Sequence, residues 1–194
     1  MGRGVLCVIA LAGCIDAPPS GDSGGAAGED TQLLRNPGFE EGVGVGWLFA
    51  PGGSPRIATG EMLELEPQAG DYAAEVGGSA LQNDTISQEV VVPEGATGLT
   101  LSFHRCVLSE EPIDPEEQPW DYCHVRALVD GGMMVLYEET NRDAQPTCEW
   151  TDAAVSVEPF TPGAPIEILL IATNDEDAPT RCLYDTFALV PTFE

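Results

Sequence analysis

Asn36-Pro37-Gly38-Phe39-Glu40-Glu41-Gly42, followed by a glycine-spaced run that ends at Trp47, divides the chain in two. Asn-Pro-Gly forms a turn, because Pro presets its own φ and Gly accepts conformations closed to other residues. Phe39 is a single large apolar anchor with acidic groups beside it. From residue 31 onward no apolar periodicity of helix length occurs. Short alternating or apolar runs recur instead, between Gly, Pro, Asn and Asp, and this is the pattern of strands and turns. The runs are 47–50, 55–59, 61–66, 72–77, 85–92, 98–107, 122–130, 132–138, 150–158, 165–172 and 182–190. Leu99, Leu101 and Phe103 alternate with polar residues, as do Val125, Ala127 and Val129 with His124 and Arg126, so each strand has one core face. Asp130-Gly131-Gly132 between two runs signals a hairpin. The more continuously apolar 165–172 reads as a central strand. The expected fold is all-β, a two-sheet antiparallel jelly-roll sandwich.

The chain has 194 residues and a formal net charge of -26, with seven Arg and no Lys. One domain with a sizeable core fits this length. Phosphate backbones and anionic lipid surfaces repel such a chain, so neither nucleic acid nor a membrane surface is an expected partner. Most of the acids read as a solvated face.

Residues 1–13 read as a signal peptide. Arg3 precedes an apolar run, Gly4 to Gly13, of about ten residues, too short to span a bilayer. The run ends in Leu11-Ala12-Gly13-Cys14, which resembles the lipobox of bacterial lipoproteins. That resemblance implies acylation of Cys14 and a lipid-anchored place in the cell envelope, at the outer membrane or cell surface. Residues 14–30 (from Ile15, IDAPPSGDSGGAAGED) offer nothing to bury and read as a disordered linker. The folded domain is 31–194. It keeps Cys106, Cys123, Cys148 and Cys182, an even number that points to two disulfides in an exported domain. Of the three connectivities, the reading favours Cys106–Cys123, closing the acidic loop 107–122, with Cys148–Cys182. His104, Cys106, Cys123 and His124 lack the two-residue gap of zinc knuckles, and export favours disulfides over Zn²⁺.

The order of features resembles jelly-roll carbohydrate-binding modules of the galactose-binding-like group. The carrying residues are Leu33-Leu34-Arg35-Asn36-Pro37-Gly38-Phe39-Glu40, Gly46-Trp47, Gly70-Asp71-Tyr72-Ala73, Ser87 to Pro93, Leu99 to Phe103, Trp150, and Asp185-Thr186-Phe187-Ala188-Leu189. The resemblance spans about residues 31–191. The acidic loop 107–122 and the four cysteines depart from the family pattern. The resemblance implies a structural Ca²⁺ held by Glu40 and Asp185, oxygen ligands suited to a hard cation. It also implies a sugar site in which aromatic rings stack on the glycan. Phe39, Trp47, Phe103, Phe187 and Trp150 read as core. Trp120 and Tyr122, beside the Pro-rich acidic loop, read as the exposed platform, with Glu116, Glu117 and Asp121 as polar neighbours.

Neither a Gly-x-Ser-x-Gly elbow nor a His-Glu-x-x-His pair is present, and the glycines of 42–53 are not followed by Gly-Lys-Ser/Thr. The expected function is therefore a monomeric, non-catalytic, membrane-anchored lipoprotein carrying a carbohydrate-binding-like module, with a polysaccharide or glycan as partner. The rival reading is a structural or adhesion sandwich that grips protein or matrix without a sugar site. A hydrolase would need convergent polar groups for which no motif exists.

Overall fold

A computed structural model describes residues 32–111 and 118–194. The expected signal peptide, Cys14, the linker, and Glu116 and Glu117 lie outside the described residues. The elements follow in the order β1 (Leu48–Phe49), β2 (Arg56–Thr59), α1 (Gly60–Leu63), β3 (Tyr72–Gly77), β4 (Asn83–Val91), β5 (Gly98–Ser109), β6 (Tyr122–Val129), β7 (Gly132–Thr140), β8 (Thr151–Ser156), β9 (Pro165–Thr173) and β10 (Thr180–Thr192). They form two antiparallel five-stranded sheets, ordered β1-β4-β9-β6-β7 and β2-β3-β10-β5-β8. The fold is the expected jelly-roll β-sandwich.

The alternation in the sequence is the alternation in space. Leu99, Leu101 and Phe103 on β5 meet Val125, Ala127 and Val129 on β6 and Ile166, Ile168 and Leu170 on β9 in one core. β9 holds the centre of its sheet, as its apolar run requires. Asp130 and Gly131 both take positive φ, 50° and 78°, and close the β6–β7 hairpin as a two-residue turn.

The opening stretch docks against the last strand. A bulge in β10 between Asp185 and Ala188 carries Thr186 at φ 50°. Within it Phe187 N–H donates to the Pro37 carbonyl at 2.9 Å, and past it Leu33 N–H donates to the Leu189 carbonyl at 3.0 Å. Phe39, Trp47 and Phe187 pack together with ring centroids 5.3–6.0 Å apart. Phe39 sits at φ 62°, unfavourable for an L-residue, and its complete burial in this cluster holds it there. Gly46, at φ 79°, lies so close to Arg35 that a Cβ would come within 2.7 Å of its carbonyl oxygen.

Three expectations change. Residues 61–66 are not a strand: α1 covers 60–63, and Glu64 ends it at φ 58°. Leu63 is fully buried there against Ala58, Ala73, Cys106 and Leu183, the outward residues of the second sheet. Tertiary burial of one side chain decided a short apolar run that periodicity leaves ambiguous. Trp150 belongs to the rim of this smaller cluster rather than to the main core, with its indole N–H donated to the Glu66 carbonyl at 2.8 Å. Glu75, buried on the same side, accepts from both Arg56 and Arg181, and Arg181 also donates to the Leu63 carbonyl.

The disulfides are Cys106–Cys148 and Cys123–Cys182, not the pairing favoured above. Strand parity explains the outcome. Cys182 pairs with Val107 in the β10–β5 register, and both point into the main core, where Cys123 of the facing sheet meets Cys182. Cys106, one residue earlier, points to the other side and reaches Cys148 in the smaller cluster. Cys106 and Cys123 therefore lie on opposite sides of a sheet. All four thiols are bonded, and none is left for Zn²⁺.

Candidate functional site

β6 divides its side chains by parity. Cys123, Val125, Ala127 and Val129 face the core, so Tyr122, His124, Arg126 and Leu128 face outward. The register places them in rows across the first sheet. Tyr122 lies between Thr173 and Thr140, His124 between Ile171 and Glu138, and Arg126 between Leu169 and Val135. Leu169 in turn pairs with Ser87, which pairs with Leu48. The result is an outer sheet face with an aromatic and basic ladder down β6, unusual in so acidic a chain.

The ladder is ordered by its own contacts. The Tyr122 and His124 rings are parallel, 1° apart in plane and 5.8 Å between centroids. The Tyr122 hydroxyl donates to the Pro119 carbonyl at 3.2 Å. His124 is only 6 % exposed, although it sits on the outer face. Its Nε2 is 2.8 Å from Glu138 Oε2, and its Nδ1 is 3.3 Å from Arg126 Nη2. Arg126 Nη2 also lies 3.5 Å from Nε2, so the guanidinium sits beside both ring nitrogens. Arg126 Nε is buried without a partner among the described residues. Trp120, just before the strand and of the same parity, is 52 % exposed. Leu48, Val91, Met133 and Val135 are exposed apolar residues on strands of this sheet.

Trp120 is exposed as expected, and Tyr122 is half-buried on the outer face. Asp121 is corrected: it is 0 % exposed and no neighbour of the platform. Opposite parity turns it inward, where Oδ1 accepts the Asp175 N–H at 2.9 Å. Asp121, Asp175 and Glu111 present carboxylate oxygens within 4.8 Å of one another, a cluster that can hold a metal ion. Burial, and then the facing charges of Asp121 and Asp175, push the Glu111 carboxyl up to about 6.

Glu40 and Asp185 grip one loop. Glu40 accepts from the N–H groups of Asp71 and Tyr72 at 3.0–3.2 Å. Asp185 Oδ2 accepts from Ala69 N–H at 3.1 Å, and Oδ1 from its neighbour Thr186 at 2.6 Å. Gly70, at φ 64°, lies directly against the Glu40 carboxylate, which a Cβ there would displace. Asp185 is fully buried, and burial raises its pKa. Neither carboxylate forms an ion pair among the described residues. Two carboxylates thus hold one loop, one of them buried among neutral N–H donors.

No protein-family model matches the chain, and no curated protein does. Solved structures do match. The module TmCBM61, solved in complex with β-1,4-galactotriose, superposes with a TM-score of 0.61 at 17% identity, over 84% of this chain and 99% of its own. The CBM22-1 xylan-binding domain of Paenibacillus barcinonensis Xyn10C gives 0.52 at 15% identity, over 87% and 99%. A family 16 carbohydrate-binding module gives 0.52 at 19%, over 81% and 99%. The fold is that of carbohydrate-binding modules. At these identities the likeness is one of architecture. Within the module fold, the sequence reading missed His124 and Arg126 as parts of an open face. The alternation of 122–129 did contain them, but it cannot say which sheet face stays open. It also passed over Glu111 and Asp175, because one acid among 33 carries no signal by itself.

Proposed function

We propose that the protein is a non-catalytic carbohydrate-binding module that holds a glycan on the outer face of the β1-β4-β9-β6-β7 sheet. The supporting observation is the Tyr122–His124–Arg126 ladder on an open face, in a fold shared with modules solved with galactotriose or described as xylan-binding. Rings at Tyr122 and Trp120 offer flat apolar surface to sugar C–H groups, and Arg126 and Glu138 offer donors and an acceptor to hydroxyls, with His124 buried between them. The sequence of residues 1–30 supports export and a lipid anchor at Cys14, with the linker holding the domain off the membrane. A glycan array on the protein identifies the ligand. Tyr122→Ala is then expected to weaken binding by at least about 2 kcal/mol, some 30-fold, the range of an interface anchor. Unchanged affinity in both Tyr122→Ala and Trp120→Ala, with the fold intact by circular dichroism, would remove this face from consideration.

A Ca²⁺ between Glu40 and Asp185 belongs to the same reading. It would neutralise a buried carboxylate and fasten the opening stretch to β10. EDTA is expected to lower the melting temperature and Ca²⁺ to restore it, with a smaller response in Glu40→Gln. Identical melting of the wild type in EDTA and in Ca²⁺ rules the ion out. The second reading, an adhesion sandwich, draws on the exposed Leu48, Val91, Met133 and Val135, which suit a protein surface better than a sugar. An array with no hits favours it.

A further inference from the structure

Four segments meet at one end of the sandwich. Glu111 lies two residues past β5, Asp121 directly before β6, Asp175 two residues past β9, and Asn141 directly after β7, in the 3-10 turn Asn141–Asp143. Glu111, Asp121 and Asp175 each bring an oxygen within 4.8 Å of the others, and none of the three is ion-paired among the described residues. Three carboxylates at that separation repel one another, and surface acids would swing apart into water. Here Asp121 cannot, because it is buried and its Oδ1 is fixed by the Asp175 N–H.

Asn141 adds an observation independent of the acids. It is 4 % exposed, its N–H donates to the Asp121 carbonyl at 3.2 Å, and its Nδ2 donates to Glu111 Oε2. The amide nitrogen thus borders the cluster. The amide oxygen, Oδ1, is buried with no partner among the described residues, and so is Asp121 Oδ2. Buried polar atoms are nearly always satisfied, so an orphan oxygen on one of three crowded carboxylates, with a second orphan acceptor on Asn141, describes a place built for positive charge.

We propose that Glu111, Asp121 and Asp175, completed by the Asn141 amide oxygen, form a Ca²⁺ site distinct from the Glu40–Asp185 clasp. The donors are all oxygens, with no His or Cys, which suits a hard cation and not Zn²⁺. Ca²⁺ tolerates the irregular geometry of groups drawn from four segments, and extracellular sites of this kind bind on the order of 10⁻⁴–10⁻³ M. The ion ties the end of β5, in one sheet, to β6, β7 and β9 in the other. It also fixes the backbone next to Trp120, so glycan-face order and Ca²⁺ become linked. The cation site itself does not depend on the glycan reading.

The test is Tb³⁺ luminescence on the full-length protein, excited through Trp, with Ca²⁺ as competitor. Trp120 is bonded to Asp121, so a Tb³⁺ in the site is sensitised by it. The expected result is a saturable emission that Ca²⁺ displaces. In a Glu40→Gln background, which removes the clasp as a second Tb³⁺ site, Asp121→Asn and Glu111→Gln each weaken it by at least about tenfold, and Asn141→Ala weakens it less. Removing one of three repelling charges should not harm folding, and the half-buried Glu111 serves if Asp121→Asn fails to fold. Absence of saturable emission, or emission that survives Glu111→Gln at wild-type affinity, overturns the site.

Discussion

Trp47→Ala is expected to lower the stability of the domain by about 3–5 kcal/mol, the range for truncating a large buried aromatic. Trp47 is fully buried, tilted against Phe39 and Phe187, and its indole N–H donates to the Asn36 carbonyl at 2.9 Å. The substitution opens a cavity between the opening stretch and β10 and removes one of the two hydrogen bonds that the Asn36 carbonyl accepts, leaving the one from Phe39 N–H at 3.1 Å. It also releases Phe39 from the neighbour that holds it at positive φ. For a domain of this size the loss corresponds to a fall of roughly 6–20 °C in melting temperature. Trp47→Phe keeps a ring in the cavity and forfeits the hydrogen bond, so its loss should be much smaller. Urea and thermal unfolding of both variants measure the difference. A Trp47→Ala protein that melts with the wild type would mean that the opening stretch is not part of the cooperative core.

Removal of the Cys123–Cys182 bond, as the double Ala variant, is expected to cost about 4 kcal/mol or more. Its 59-residue separation gives that figure from the entropy of the unfolded loop alone. Two buried sulfurs are lost from the main core in addition, where this bond joins β6 of one sheet to β10 of the other. The Cys106–Cys148 bond has a comparable separation of 42 residues, but it joins β5 to the partly buried segment before β8. Its loss can be absorbed by local opening of that segment, so the double Ala variant there should unfold at higher denaturant than the first. Equal midpoints would contradict the distinction between a bond across the core and a bond on the rim.

Most of the strand framework was legible because the sandwich writes its core into period two. Leu99, Leu101 and Phe103 could not all be buried in any other regular arrangement, and Asp130-Gly131 has the positive-φ tolerance that a two-residue hairpin needs. The resemblance carried by Asn36 to Glu40 and by Asp185 to Leu189 named the two ends that the structure joins. Three of the departures share one cause. Parity along a strand was read correctly, but which side of which sheet a given parity faces depends on partners far away in sequence. That single ambiguity misassigned the disulfides, put Asp121 beside the platform instead of beneath it, and left His124 and Arg126 out of the open face.

The sequence by itself therefore determined the fold class, most strand boundaries within a few residues, and the Phe39–Trp47 anchor, since each rests on local pattern and on burial of large apolar groups. Only the tertiary structure decided what the polar residues do. Glu111, Asp121, Asn141 and Asp175 span 65 positions of the chain, and Tyr122 has Thr173 on one side and Thr140 on the other. Such groupings come from sheet register and strand order, which are set by the sum of many long-range pairings and leave no local signature.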